Sequence, residues 1–212
     1  MKNPNRKDGK VRLWTRQDRR CLPILKRKGR FTNTQHYLQE KFGEITPFFT
    51  ELYDWFVARA EQTVPRPADV KYPIWCSVAQ EYMLRPTPEE VVLEIVKDEA
   101  EVVYFDGTRW DLVLNHMYIP ADEEDDRAYA KHLQELGVKD RHSFIKGREG
   151  VIYPAEKQKV IDSWPRVFEI PEWDYFRIQA NIWEIRQEEV ERVFTMKDMP
   201  AYGEALDATD GT

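Results

Sequence analysis

Apolar and polar residues alternate from Phe176 to Ile182, with Trp183 next in line. Side chains of a strand point alternately to its two faces, so Phe176, Ile178, Ala180 and Ile182 share one face. Arg177, Gln179, Asn181 and Trp183 share the other. The apolar face requires a core. The second face sets two amides and an indole side by side, which suits it to a flat, polar ligand.

The same reading predicts elements along the rest of the chain. Val11 to Gln17 alternates as a short strand, with Val11, Leu13 and Thr15 opposite Arg12, Trp14 and Arg16. Asp18 offers a helix cap, and Leu22 and Leu25 begin a short stripe that stops at Gly29, with Pro23 near its start. Thr46-Pro47 opens a helix that carries Phe49, Leu52, Tyr53, Phe56, Val57 and Ala60 at helical spacing. Tyr72 to Val78 reads as a strand that Pro73 confines to an edge or to a strand start. Val91–Val96 and Glu101–Phe105 read as a hairpin or close strand pair. Thr108 caps a helix with Trp110, Val113, Leu114 and Met117 on one face, ended by Pro120. An acidic helix follows from Asp122 to Leu136, stopped by Gly137. Residues 138–152 are loop-like, Pro154 opens a helix to Trp164 that Pro165 closes, and Gln187–Phe194 reads as a short helix carrying Val190, Val193 and Phe194.

Strands and helices without regular βαβ alternation indicate an α+β fold, a mixed sheet with peripheral helices. A length of 212 residues suits one domain over 10–196, between a basic flexible tail at 1–9 and a flexible tail at 197–212. Seven Trp, ten Tyr and ten Phe serve first as core, and some can line a pocket or an interface. The absence of any run of about 18 apolar residues argues against a membrane span. The opening MKNPNRKDGK lacks the apolar stretch of a secretory signal, and the two cysteines, Cys21 and Cys76, form no framework pattern. These features point to a cytoplasmic protein.

The net charge of −6 is unevenly spread. Residues 1–30 hold twelve Lys and Arg against Asp8 and Asp18, a local +10 that leaves −16 on the remainder. Such a segment can seek nucleic acid or an acidic partner, or lie against the chain's own carboxylates, with Glu123–Asp126 and Glu188-Glu189 available. Standard catalytic motifs are missing: there is no phosphate loop, no nucleophile elbow and no metal-binding His or Cys pattern. His116 reads as structural. Asp106-Gly107-Thr108-Arg109-Trp110 is a strand-to-helix turn suited to a site or to simple capping. Tyr72-Pro73-Ile74-Trp75 is either a pocket wall or an aromatic strand against the core.

Leu13-Trp14-Thr15, Leu25 with Gly29, Tyr53-Asp54-Trp55, Tyr72-Pro73-Ile74-Trp75, Trp110 with Val113-Leu114-Asn115, and Gln179-Ala180 occur in order. Over roughly residues 11–195 this arrangement resembles a bacterial family known as domain of unknown function 3841. More distantly, Leu13-Trp14-Thr15-Arg16 with Leu25 and Gly29, and Gln179-Ala180-Asn181, resemble the opening strand and the late Gln-x-Glu of ADP-ribosyltransferase-like domains. Thr15 stands where those domains carry His, Arg16 where they carry Gly, and Asn181 where they carry the catalytic Glu. A neutral amide can hydrogen-bond a ribose hydroxyl but supplies no charge to an oxocarbenium-like centre.

The resemblance implies an ADP-ribosyltransferase-like scaffold that binds NAD or a nucleotide and modifies a macromolecule, protein or nucleic acid. Trp14, Thr15, Arg16, Tyr72 and Trp75 are then the ligand-binding candidates, and Gln179 and Asn181 the catalytic candidates. Two alternatives stand beside it: a non-catalytic binding or inhibitor protein on the same scaffold, and a nucleic-acid binder acting through the basic N-terminal segment.

Overall fold

The computed structural model describes residues 2–33, 43, 46–142 and 144–199. Strand β1 (Lys10–Asp18) buries Val11, Leu13 and Thr15 as its alternation requires. Gly29, at φ 69°, ends helix α1 (Cys21–Lys28) in the left-handed conformation that glycine adopts without strain. Cys21 and Leu25 are buried in the core and Leu22 packs partly buried against it, and Pro23 sits in the first turn, where no helical hydrogen bond is lost. Strand β2 (Arg30–Phe31) precedes helix α2 (Thr46–Ala60), which buries Leu52, Tyr53, Phe56, Val57 and Ala60 at the expected spacing.

The next elements are β3 (Ile74–Ser77), β4 (Glu90–Asp98), β5 (Val103–Asp106) and α3 (Gly107–Leu114). Helix α4 (Glu123–Glu135) is capped by the Asp122 carboxylate, which accepts from Asp125 N–H at 2.9 Å. A one-turn α5 (Glu149–Ile152) lies within the segment read as loop. Helix α6 (Pro154–Ser163) ends at Trp164-Pro165 as expected, and a 3₁₀ turn over Trp164–Phe168 follows it. Strands β6 (Ile178–Ile182), β7 (Ile185–Arg186) and β8 (Val190–Phe194) follow. Residues 200–212, within the expected C-terminal tail, lie outside the described residues.

The fold is α+β. Among the described residues, six strands form one sheet in the order β5-β6-β3-β1-β4-β8, and every pairing is antiparallel where a mixed sheet was expected. Strands β2 and β7 form a separate pair. One face of the sheet carries Leu13, Ile74, Leu93, Ile95, Ile178, Ala180 and Ile182 onto a core shared with Cys21 and Leu25. The helices build a second core in which Phe56, Trp110, Val113, Trp164 and Trp183 meet Phe105. Pro73 precedes β3, which is central: the proline marks the strand start, not an edge.

Two expectations fail. The runs read as a hairpin, β4 and β5, do not pair: β4 lies between β1 and β8, and β5 pairs with β6. None of Asp98 to Glu101 has the positive φ that a tight hairpin turn needs. Instead the Asp98 carboxylate accepts from Ala100 N–H at 2.9 Å, and a 3₁₀ turn carries the chain away. The helix expected over Gln187–Phe194 is a 3₁₀ turn followed by β8. Val190, Val193 and Phe194 fit helical spacing, but the open edge of β4 offers a ladder that a five-residue helix cannot match.

Four arginines of the basic N-terminal segment, Arg6, Arg12, Arg16 and Arg30, pair with carboxylates outside it. Residues 2–9, read as a tail, make specific contacts: Asn3 N–H donates to Glu99 at 2.8 Å, Arg6 pairs with Glu99 at 2.9 Å, and Tyr175 donates to Asn5 at 3.0 Å. Arg12 pairs with Glu94, Arg16 with Glu90 at 3.4 Å, and Arg30 with Asp69 at 2.7 Å. The counter-charges come from β4 and its flanks more than from Glu123–Asp126, which form the first turn of α4.

A second ionic cluster holds β4 to the turn before β8. The Lys97 side chain is 1% exposed, with Nζ 2.8 Å from both Glu189 and Glu101 and 3.2 Å from the Glu184 carbonyl. Burial raises the Glu101 carboxyl, but its bonds to Lys97 and Arg186 outweigh that and hold it below its ordinary value. Removing one partner of a buried pair strands the other charge, so Lys97→Ala is expected to cost about 3–5 kcal/mol in urea unfolding. The Glu101 contribution is present above the ordinary glutamate value of about 4.3 and fades as pH falls below it. Wild-type protein is therefore expected to lose stability on acidification more steeply than Lys97→Ala, which unfolding at pH 7 and pH 4 measures.

Candidate functional site

Strand β1 pairs with β4 along its whole length but meets β3 at a single position, Trp14 opposite Ser77. Beyond that junction the Thr15 hydroxyl donates to the Trp75 carbonyl at 2.7 Å. The end of β1 and the start of β3 then border a cleft of about 960 Å³. Arg16, Gln17 and Asp18 line one side of it, and Trp75, Gln179 and Arg177 belong to the other. The first turns of α3 contribute Gly107, Thr108, Trp110 and Asp111.

The aromatic wall is built on Trp75. Its ring stacks on Trp110 at 5.6 Å and 26°, and meets Phe105 and Phe56 at 5.0 and 5.1 Å. Tyr53 from α2 stands edge-on to both indoles, at 5.6 and 5.7 Å. Burial pushes the Tyr53 hydroxyl up to about 12, so it stays protonated at neutral pH. At the mouth, Tyr82 and Phe176 make an edge-on pair at 5.5 Å beside Leu84. These three are exposed by 47, 69 and 59%, which leaves an apolar rim open to solvent.

Most charged groups in the cleft are already engaged. Asp106 caps α3 by accepting from Arg109 N–H at 3.1 Å and pairs with Arg177. Arg16 donates to the Arg85 carbonyl at 3.2 Å and faces Glu90. Asp18 accepts from Arg20, a bond that holds its carboxyl below the usual value. Gln179 packs against Gly107 so closely that a Cβ there would fall 2.8 Å from Gln179 Nε2 and 3.1 Å from the Arg177 carbonyl. The missing side chain of Gly107 lets the amide lie against the start of α3.

Of the candidates read from sequence, Arg16, Trp75 and Gln179 come together in this cleft. The others lie elsewhere. Trp14 packs with Val92 and Phe194 under β8. Thr15 is buried and serves the β1–β3 junction. Tyr72 lies in the helical core and donates to Asp54 at 3.0 Å. Asn181 is 1% exposed, with Nδ2 at 3.4 Å from the Ile74 carbonyl. Trp183, expected on an open face, is buried in the helical core and donates to the Val64 carbonyl at 2.9 Å. Phe176, expected in the core, precedes β6 and is on the rim. The polar face of β6 thus opens to the cleft only at Gln179, because the helical layer covers the rest.

Tyr53, Asp111 and the rim residues were not legible as site residues. One signal was available: Gly107, Thr108 and Asp111 share a helix face by their i, i+1 and i+4 spacing. His116 is buried beside Trp164 and has the left-handed φ of 56°, consistent with a structural position. Cys21 and Cys76 are buried free thiols pushed up to about 12 by burial, so neither is a ready nucleophile. Among the described residues, no group of three or more His, Cys, Asp and Glu is placed to hold a metal, and no helix is long and apolar enough to cross a membrane.

No curated protein and no solved structure matches the chain. The family described as Domain of unknown function (DUF3841) matches residues 12–191, a span that includes every strand-borne and helix-borne wall of the cleft. The chain therefore belongs to the DUF3841 family.

Proposed function

We propose that the cleft binds a nucleotide, with NAD as the substrate, and that the protein transfers its ADP-ribose to a macromolecule in the manner of ADP-ribosyltransferase-like domains. The observation that carries this reading is the position of Trp75. Its indole, backed by Trp110, offers a fixed aromatic surface within reach of Gln179 and the guanidinium groups of Arg16 and Arg177. A flat base or nicotinamide ring suits the aromatic wall, an amide suits a ribose hydroxyl or carboxamide, and guanidinium suits phosphate oxygens. A cleft of about 960 Å³ suits a dinucleotide. Asn181 lies beneath this surface, so the carboxylate such chemistry needs would not come from that position of the strand.

A second reading is favoured by the exposed rim of Tyr82, Leu84 and Phe176. Large exposed aromatics with nearby arginines are anchors of protein interfaces. In this reading the cleft mouth docks a protein and the protein is a binding or inhibitor module.

Titration of NAD with calorimetry or tryptophan fluorescence separates the two. The nucleotide reading expects saturable binding between roughly 1 μM and 1 mM, the usual range for substrates. It also expects Arg16→Ala and Gln179→Ala to weaken binding by about tenfold each, the loss of one hydrogen bond to a charged or polar partner. Absence of binding to NAD and to other nucleotides at millimolar concentration leaves the interface reading.

Gly107→Ala gives a finer test. Its new Cβ displaces the Gln179 amide. The expected outcome is weakened NAD binding in a folded protein whose urea-unfolding stability falls by about 1–3 kcal/mol, because the Cβ also crowds the Arg177 carbonyl at 3.1 Å.

A further inference from the structure

We propose that Asp111 is the general base of the cleft. This inference rests on the reading of NAD as substrate. Asp111 is an exposed residue of α3 that borders the cleft with Gly107 and Thr108, directly after the Trp110 indole that backs Trp75. The other carboxylates around the cleft are committed. Asp106 holds Arg177 and caps α3, Asp18 holds Arg20, and Glu90 faces Arg16 and accepts from Thr87 N–H at 3.1 Å. The Asp111 carboxylate has neither a cation nor a hydrogen-bond donor among the described residues. An unpaired carboxylate on the wall of a cavity is a base with its lone pairs available.

The chemistry closes without another reagent. The bond from ribose C1′ to the nicotinamide nitrogen breaks, and its electron pair leaves with the neutral nicotinamide. The oxygen or nitrogen of the acceptor, or of water, supplies the pair that forms the new bond to C1′. Its proton passes to the Asp111 carboxylate. The negative carboxylate also stabilises the positive charge that develops at C1′.

The surroundings set the direction of its titration. The walls of the cleft strip part of its water and raise the Asp111 carboxyl above the ordinary aspartate value. The cleft lining also holds Arg16, Arg20 and Arg177 as cations, Asp18 and Glu90 as carboxylates, and Tyr53 as a neutral phenol, and none of them pairs with the Asp111 carboxylate. The base is active when deprotonated, so the rate is expected to rise with pH to a plateau, with its midpoint above the usual aspartate value of about 3.9.

The test uses the full chain with NAD alone, water serving as acceptor. NAD affinity and nicotinamide release are measured from pH 4 to pH 8 for wild type, D111N and D111E. The expected result is wild-type NAD affinity in D111N, nicotinamide release reduced by about 100-fold or more, loss of the acid limb of the profile, and partial recovery in D111E. Release by D111N at the wild-type rate with the acid limb intact overturns the assignment and leaves NAD binding standing. Loss of NAD binding in a folded D111N makes Asp111 a binding group and overturns it as base. Wild type that binds NAD but releases no nicotinamide also overturns it, while wild type that does not bind NAD overturns the substrate reading and this inference together.

Discussion

The Trp75 side chain is the constraint on which the rest depends. Its strand is central, its carbonyl takes the Thr15 hydroxyl at the single junction between β1 and β3, and its ring meets Phe56, Phe105, Trp110 and Tyr53. Those rings bring α2 and α3 onto one face of the sheet, where Phe105 of β5 meets them. The same ring lines the cleft. The core of the domain and the wall of the site are therefore one packed aromatic assembly, and a ligand on that wall meets a surface whose geometry the fold has already fixed.

Charge is arranged around this assembly in two layers. Arg6, Arg12 and Arg16 of the N-terminal segment meet Glu99, Glu94 and Glu90 on β4 and the turn after it, which ties the segment to the outer half of the sheet. Lys97 does the same from inside, joining β4 to the turn that feeds β8. Neither layer consumes Gln179, Thr108 and Asp111, three exposed residues that line the cleft. This separation leaves a polar group free where a ligand can reach it, while most other charges are tied to the fold.

Elements with strong local signals were legible in the sequence. The apolar stripe of α2, the Asp122 cap and Gly137 stop of α4, and the alternation of β1 each encode their own conformation, independent of what they pack against. Elements settled by pairing were not. Val190 to Phe194 fits a helix by spacing and becomes a strand because β4 has an open edge. Lys97-Asp98-Glu99-Ala100 reads as the turn of a hairpin and becomes the end of β4 and the start of a 3₁₀ turn, where no residue takes a positive φ. The site was legible to the same extent. Alternation assigned Gln179, Asn181 and Trp183 to one face correctly, but only the tertiary structure shows that helices cover Trp183 and bury Asn181. Arg16, Trp75 and Gln179 were found because each sits where a strand borders the opening. Asp111, Tyr53 and Phe176 come from helices and a loop brought to the cleft by the fold.

The central claim is that the cleft bounded by Trp75, Gln179 and the start of α3 is where a nucleotide binds. Hydrogen–deuterium exchange of the full chain with and without saturating NAD tests it most directly. The account expects slowed exchange in the segments around residues 16–20, 75–84, 107–111 and 176–179, with the remainder of the sheet unchanged. Protection confined to other segments, or none at saturating NAD, contradicts it.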